Sequence, residues 1–334
     1  MTSWFVVSFQ FKPFKDDWLK HTDLFNRYLP SIKYTTELDV DFFEILAFDQ
    51  SSLKQYRIEA ARSSAKYLGN NPVLCLSGGI DSQAMIQCWI EAGIDFTVAI
   101  GVFKNDLNYQ DVEYAELFCK KFNIDPVIVE IDVLMFLSRE NLDFAEKYQC
   151  TSPHFNTHYK MFDKLREMQF TGVCAGGTAF ARGKEGWGPA PTAPQMNYVE
   201  YSRLNQFPVI GNFLGFDPSL CWTLALLTPP HATVWTTPAL TFEELTQEND
   251  KRYQAKVLGY KNHGFDIIPQ SQKFTGFEKV KEYFSEKYKD GWAFEKKFRH
   301  PLEKKFGTAV GELVLTKSQQ NVLDTLYRQN GFSC

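Results

Sequence analysis

The chain has 334 residues, 44% hydrophobic and 23% charged, with a formal net charge of −4, so it can bury a sizeable core but has no general attraction for nucleic acid. No apolar run approaches the roughly 20 residues of a membrane-spanning helix, and no secretory leader pattern opens the sequence. The seven cysteines form no Cys-x-x-Cys pair, which excludes the usual zinc spacings and predicts reduced thiols in a soluble, cytoplasmic protein without membrane or nucleic-acid partners.

Residues 1–70 predict a small N-terminal region with strand-like runs at Phe5-Val6-Val7-Ser8-Phe9 and Phe42-Phe43-Glu44-Ile45-Leu46. Leu53 to Leu68 reads as a helix, because Gly69-Asn70-Asn71-Pro72 supplies a left-handed cap and then a proline that cannot continue it. Val73-Leu74-Cys75-Leu76 is a short buried-strand pattern that runs directly into Ser77-Gly78-Gly79-Ile80-Asp81-Ser82, and a helix follows from about Asp81 to Ala92. Further strands at Phe96 to Val102, Pro126 to Ile131 and Thr171 to Ala175 alternate with helical patterns. These are marked by Val112, Ala115, Cys119 and Phe122, then by Val133 to Tyr148 and Thr157 to Met168. This alternation predicts an α/β domain over 71–190, a parallel sheet flanked by helices. Gly183 to Pro194 is too rich in Gly and Pro for regular structure and predicts a loop over the site. Residues 191–334 predict a mostly helical extension that completes it.

Two adjacent glycines between a strand and a helix let successive backbone N–H groups converge on an anion, aided by the positive end of the helix dipole. Ser77 and Ser82 add hydroxyls suited to phosphate oxygens, and Asp81 places a carboxylate where it can hold Mg²⁺ against them. Neither the Walker pattern nor the Gly-x-Gly-x-x-Gly dinucleotide fingerprint occurs in the chain. His154 and His158 stand at i, i+4 spacing, either as a metal pair or as polar residues of a helix face; no His-Glu-x-x-His pattern joins them.

Ser77 to Ser82 resembles the PP-loop of the N-type ATP pyrophosphatases, and its context resembles the synthetase domain of asparagine synthetase. The likeness spans roughly Tyr56 to Trp187, including Asp111-Val112-Glu113-Tyr114-Ala115 and the strand entering Ala175-Gly176-Gly177. It implies the fold of the adenine nucleotide α-hydrolases. It also implies that Ser77, Gly78, Gly79, Asp81 and Ser82 hold the pyrophosphate of ATP with Mg²⁺, that Gly176 and Gly177 line the nucleotide site, and that backbone near Leu76, Val102 and Phe103 reads adenine. The Phe103 ring is either a purine platform or a core residue.

The sequence also departs from that family. Where the second loop of the family carries Ser-Gly-Glu-Gly-Ala-Asp-Glu, this chain has Ala175-Gly176-Gly177-Thr178-Ala179-Phe180-Ala181, without the acids. Thr2 follows Met1, so the cysteine nucleophile of a glutaminase domain is missing, and an amine must come as free ammonia or from a partner protein. Arg182 and Lys184 are candidates to meet the departing pyrophosphate, or are solvated loop charges. Lys273, before Thr275-Gly276-Phe277-Glu278, is faintly similar to a C-terminal lysine of the family.

The resemblance implies an AMP-forming ligase. A carboxylate or amide-like oxygen of a small-molecule substrate attacks the α phosphorus of ATP, pyrophosphate leaves, and a nitrogen nucleophile displaces AMP. The alternatives are a nucleobase-modifying enzyme like the 7-cyano-7-deazaguanine synthases, which the lack of a zinc cysteine cluster disfavours, and a regulatory protein that binds nucleotide without turning it over.

Overall fold

The computed structural model describes residues 19–22, 31–38, 50–148, 150–177, 181–183, 186–188, 198, 201–230, 242–271, 276–306, 308–314 and 316–333. Its strands are β1 (Leu19–Thr22), β2 (Ser31–Leu38), β3 (Pro72–Cys75), β4 (Thr97–Phe103), β5 (Val127–Ile131), β6 (Gly172–Ala175), β7 (Ala181–Gly183), β8 (Gly186–Gly188), β9 (Val209–Ile210) and β10 (Thr308–Val314). Its α-helices are α1 (Leu53–Leu68), α2 (Ile80–Ala92), α3 (Tyr109–Phe122), α4 (Val133–Arg139), α5 (Asn141–Tyr148), α6 (Pro153–Glu167), α7 (Pro218–Leu227), α8 (Phe242–Asn262), α9 (Glu278–Tyr288), α10 (His300–Phe306) and α11 (Lys317–Gln329).

The centre of the molecule is a five-stranded parallel sheet in the order β5-β4-β3-β6-β9. Successive side chains of a strand point to opposite faces; β3, β4, β6 and β9 supply apolar residues to both, and β5 buries Val129 and Ile131 on one face while Ile128 is exposed on the other. Leu74, Val98, Ile100, Cys174 and Ile210 meet Ala60, Met85, Trp89 and Phe118 from α1, α2 and α3. Their neighbours Val73, Ala99, Val129, Val173 and Val209 meet Phe136, Tyr159, Phe162 and Leu165 from α4 and α6. Helices on both faces explain why these strands read as continuous apolar runs rather than alternating ones. The expected α/β fold, a parallel sheet flanked by helices, is therefore present, and its strand β9 comes from beyond residue 190.

Several boundaries differ from the sequence expectation for local reasons. The helix expected over Val133 to Tyr148 is two. Glu140, at φ −113°, breaks it between α4 and α5, and its carboxylate accepts a hydrogen bond from Lys160 Nζ at 2.6 Å. α5 is then tied to α6 by Asn156 Nδ2, which donates to Asn141 Oδ1 (2.9 Å). α6 begins at Pro153 rather than Thr157, since proline suits the first helical turn, where its missing N–H has no partner to lose. The stretch expected as loop from Gly183 contains the antiparallel pair β7 and β8; residues 189–194 lie outside the described residues.

The strands expected at Phe5 to Phe9 and Phe42 to Leu46 also lie outside the described residues. In the N-terminal region β2 pairs antiparallel with β1 and parallel with β10, Ser31 lying opposite Thr308 and Glu37 opposite Val314. This part of the chain thus shares a sheet with the C-terminal segment.

A buried polar network fixes α1, α2, α7 and the end of α8. The Arg57 guanidinium grips Glu91 with Nε and Nη2 at 2.7 and 2.8 Å, and its Nη1 donates to the His263 carbonyl. His263 Nε2 lies 2.9 Å from Thr223 Oγ1. Burial, with Arg57 beside it, pushes the His263 imidazole down to about 3, so the folded state favours the neutral ring. The stability this contributes is complete above pH 6.5, the ordinary histidine value, and is lost as pH falls from there toward 3. His263→Gln, which keeps a hydrogen-bonding side chain but cannot titrate, is expected to flatten the fall in urea midpoint between pH 6.5 and 4; a wild-type slope in the variant counts against this assignment.

Candidate functional site

The strand order turns round at β3. The chain moves outward on one side through β4 and β5 and on the other through β6 and β9. In open α/β sheets the crevice beyond the strand carboxyl ends at such a reversal receives ligands. Both glycine turns lie there, Ser77 to Gly79 after β3 and Gly176 to Gly177 after β6.

At the first turn, Leu76 N donates to Ala99 O (2.9 Å) and the backbone then bends through Gly78 at φ +78° into α2. A Cβ on Gly78 would stand 2.0 Å from the Asp111 carbonyl oxygen, so only glycine fits. Ser82 Oγ donates to Gly79 O (2.8 Å) and lies 3.2 Å from both Ser77 N and Ser77 Oγ. Gln83 Nε2 donates to Gly78 O (2.9 Å). The loop carbonyls are thereby tied inward. Among the described residues the N–H groups of Gly78 and Gly79 meet no acceptor, and those opening α2 have none within the helix. Donors at a helix N-terminus with their carbonyls turned away form a cradle for an anion.

The second turn supports the first. A Cβ on Gly176 would come within 2.6 Å of Asp81 C and Ser82 N, and one on Gly177 within 2.1 Å of Asn212 Oδ1. Gly176 O also accepts from Leu214 N (3.1 Å). Gly176 therefore presses backbone against backbone under the start of α2, and Gly177 lies against Asn212.

Asp81 faces α8. Lys256 Nζ lies 2.7 Å from both carboxylate oxygens, and the Tyr260 hydroxyl donates to Oδ1. Burial and the Asp81 charge hold that phenol well above its ordinary range, so it remains a donor. Among the described residues no group of three or more His, Cys, Asp or Glu is placed to hold a metal. Mg²⁺, however, is commonly held by one or two carboxylates together with substrate phosphates. Asp81 would fit such an ion in the place now taken by the Lys256 ammonium. Bound there, the ion would neutralise charge on phosphate oxygens.

The remaining candidates fall in different places. Phe103 is 7% exposed and packs edge-on against Phe277 (5.2 Å, 75°), which makes it a core ring. Its N–H donates to Asn108 Oδ1 (2.8 Å), so neither Phe103 nor Leu76 has a spare backbone donor for a purine. Val102 lies in register with Glu130 inside the sheet. Arg182 Nε pairs with Asp324 Oδ1 on α11 at 3.0 Å, beside Trp187 Nε1 on the same oxygen (3.0 Å). Lys184, Lys273 and Phe180 lie outside the described residues. His154 packs 4.1 Å from the Phe277 ring, and burial, with Lys281 beside it, holds it down to about 3. His158 Nδ1 lies 2.7 Å from the Tyr198 hydroxyl. The pair packs and hydrogen-bonds α6 against Phe277 and Tyr198 from elsewhere in the chain. Desolvation pushes the Cys75 thiol, at the end of β3, up to about 12, so it is no thiolate nucleophile at neutral pH.

Lys256 and Tyr260 escape sequence reading, although their i, i+4 spacing on a helix was available as a signal. The segment that locks them in place is equally silent in sequence. Gln83 and Gln87 use both ends of their amides on the backbone of Ile268 (2.7 and 3.0 Å) and Asp266 (2.8 and 3.1 Å). Gln270 N then donates to Tyr253 OH, and Gln270 Nε2 to Asp111 Oδ1, each at 2.7 Å.

No family model matches the chain, and no curated protein matches it in sequence. Solved structures similar to it include three from different organisms. The NH3-dependent NAD synthetase of Campylobacter jejuni has 15% identity over 85% of this chain and 96% of its own, with a TM-score of 0.34. The U34-tRNA thiolase NcsA of Methanococcus maripaludis has 16% identity over 68% and 87%, also at 0.34. The NMN synthetase of Francisella tularensis has 15% over 66% and 99%, at 0.30. At these values the likenesses carry no argument about substrate or chemistry.

Contact between the two turns gives a direct test. Gly176→Ala is expected to lower urea stability by about 1–3 kcal/mol, as overpacking does. Gly291→Ala, with nothing within 4 Å of its added carbon, should stay within about 0.5 kcal/mol of wild type.

Proposed function

We propose that the chain binds ATP with its β and γ phosphates on the Ser77–Ser82 loop and splits it between the α and β phosphates. The observation that supports this most strongly is the pair of Gly78 and Gly79 N–H groups without an acceptor among the described residues, at the reversal point of a parallel sheet and closely backed by Gly176 and Asp111. The sequence of the loop, Ser-Gly-Gly-Ile-Asp-Ser, agrees with a pyrophosphate grip rather than a Walker or dinucleotide loop.

The finer reading is an AMP-forming ligase similar to the synthetase domain of asparagine synthetase, using ATP and Mg²⁺. A small-molecule oxygen attacks the α phosphorus; the bond from that phosphorus to the β-phosphate bridge breaks, and pyrophosphate departs with its charge held by the loop amides. Ammonia or another amine then attacks the adenylated carbon and expels AMP. The chain's own residues bind and orient the phosphates: Gly78 and Gly79 through backbone, Ser77 through its hydroxyl, and Asp81 through the cation it holds. Ser82 acts indirectly, its hydroxyl keeping the Gly79 carbonyl turned inward.

A second reading, a nucleotide-binding protein that does not turn ATP over, draws on two observations. Asp81 already has cationic and hydroxyl partners, and the second loop lacks the family's acids. Incubation with ATP, Mg²⁺, candidate carboxylates and ammonium, with AMP, ADP, pyrophosphate and orthophosphate quantified, separates the two. AMP and pyrophosphate in equal amounts are expected, with Asp81→Ala lowering their formation by about 10²–10³. ATP binding without products selects the second reading; ADP with orthophosphate overturns both. Either binding reading also requires ATP to raise thermal stability, by about 2.7 kcal/mol at roughly 100 times Kd.

A further inference from the structure

Resting on the phosphate-loop reading, we infer that Lys256 is a phosphate-binding residue kept in reserve by Asp81: its ammonium occupies the carboxylate until an anion enters the loop, then transfers to the phosphate oxygens and leaves Asp81 open to the accompanying cation. The inference starts from the unequal fixing of the two partners of Asp81. Tyr260 is 2% exposed, its ring packs 5.6 Å from Phe265, and the helix beneath it is pressed against Thr228, where a Cβ on Gly259 would fall 2.1 Å from Oγ1. Its hydroxyl cannot leave Oδ1 without moving α8. Lys256, one helical turn earlier, reaches the same carboxylate on a flexible four-carbon stem with its side chain 17% exposed.

Asp81 stands in the first turn of α2, the turn whose amides form the anion cradle. An ammonium 2.7 Å from that carboxylate is therefore within a side-chain swing of whatever the amides hold. The exchange is electrostatically balanced. With the loop empty, the ammonium neutralises a half-buried carboxylate that would otherwise face only a hydroxyl. With phosphate bound, the same ammonium gains a more highly charged acceptor, and the freed Asp81 oxygens, still oriented by Tyr260, can take a divalent ion in its place. α8 holds its register throughout through the Tyr253 contact to Gln270 and the His263 network at its end.

Lys256→Met keeps the length of the side chain and removes its charge. Calorimetric titration with inorganic pyrophosphate in EDTA, and Mn²⁺ titration by electron paramagnetic resonance without nucleotide, read the two halves of the exchange separately. The variant is expected to bind pyrophosphate about tenfold or more weakly, the loss of one charge-assisted hydrogen bond, and to bind Mn²⁺ more tightly than wild type because Asp81 is uncovered. Lys256→Arg should keep pyrophosphate affinity within about threefold. A merely structural lysine would weaken both ligands together. The inference is overturned if Lys256→Met binds pyrophosphate as well as wild type does, or if its Mn²⁺ binding does not tighten. Wild-type protein that binds neither pyrophosphate nor ATP overturns the phosphate-loop reading itself, a different result from either of these.

Discussion

Everything at this site depends on main chain touching main chain. Gly176 lies against the peptide joining Asp81 to Ser82, and Gly78 lies against the Asp111 carbonyl, at separations that no side chain could share. Three elements that are distant in sequence, the starts of α2 and α3 and the exit of β6, are thereby brought to the spacing of bare backbone. The bend after β3 is thereby restricted by close backbone contacts on both sides. Such preorganisation removes the ordering penalty that a flexible loop would meet on binding.

The electrostatics follow from this geometry. A helix start that gathers N–H donors also carries Asp81, whose negative charge suits the helix dipole but opposes an incoming phosphate. Lys256 and Tyr260 from α8 offset that charge. The C-terminal part of the chain thus supplies the cation that the loop's own sequence lacks, and it is held there by glutamine amides of α2 that bond to the backbone of residues 266–268 as a neighbouring strand would. Loop and helix extension form one unit although they are separated by most of the sheet.

Sequence reading went furthest where a local rule dictates structure. Val73 and Leu74 serve opposite faces of a doubly covered strand, so their apolar run was diagnostic. Gly69 and Pro72 bounded α1 at Leu68 as expected, and the Gly78-Gly79 pair after a strand identified the turn. Reading failed where the decision was tertiary. The i, i+4 spacing of Lys256 and Tyr260 places them on one helix face but does not name the carboxylate, 175 and 179 positions away, that they meet. Arg182 looked suited to a leaving anion because it follows the second loop, but Asp324 on α11 competes for it at 3.0 Å. Phe103 was undecided between purine and core until Phe277, from beyond residue 270, came to lie against it. The divided helix at Glu140 was not legible either, although Lys160 from a different helix bonds to its carboxylate.

The parallel pairing of β2 with β10 bears on how the molecule is assembled during synthesis. A two-stranded ribbon such as β1 with β2 is marginal in water by itself, and its third strand is translated only after the whole of the central sheet. The central parallel sheet, by contrast, has its β3 to β6 strands close together in sequence and can collapse while the ribosome is still working. The ribbon therefore waits as an unpaired edge until β10 emerges, and its closure is a long-loop event.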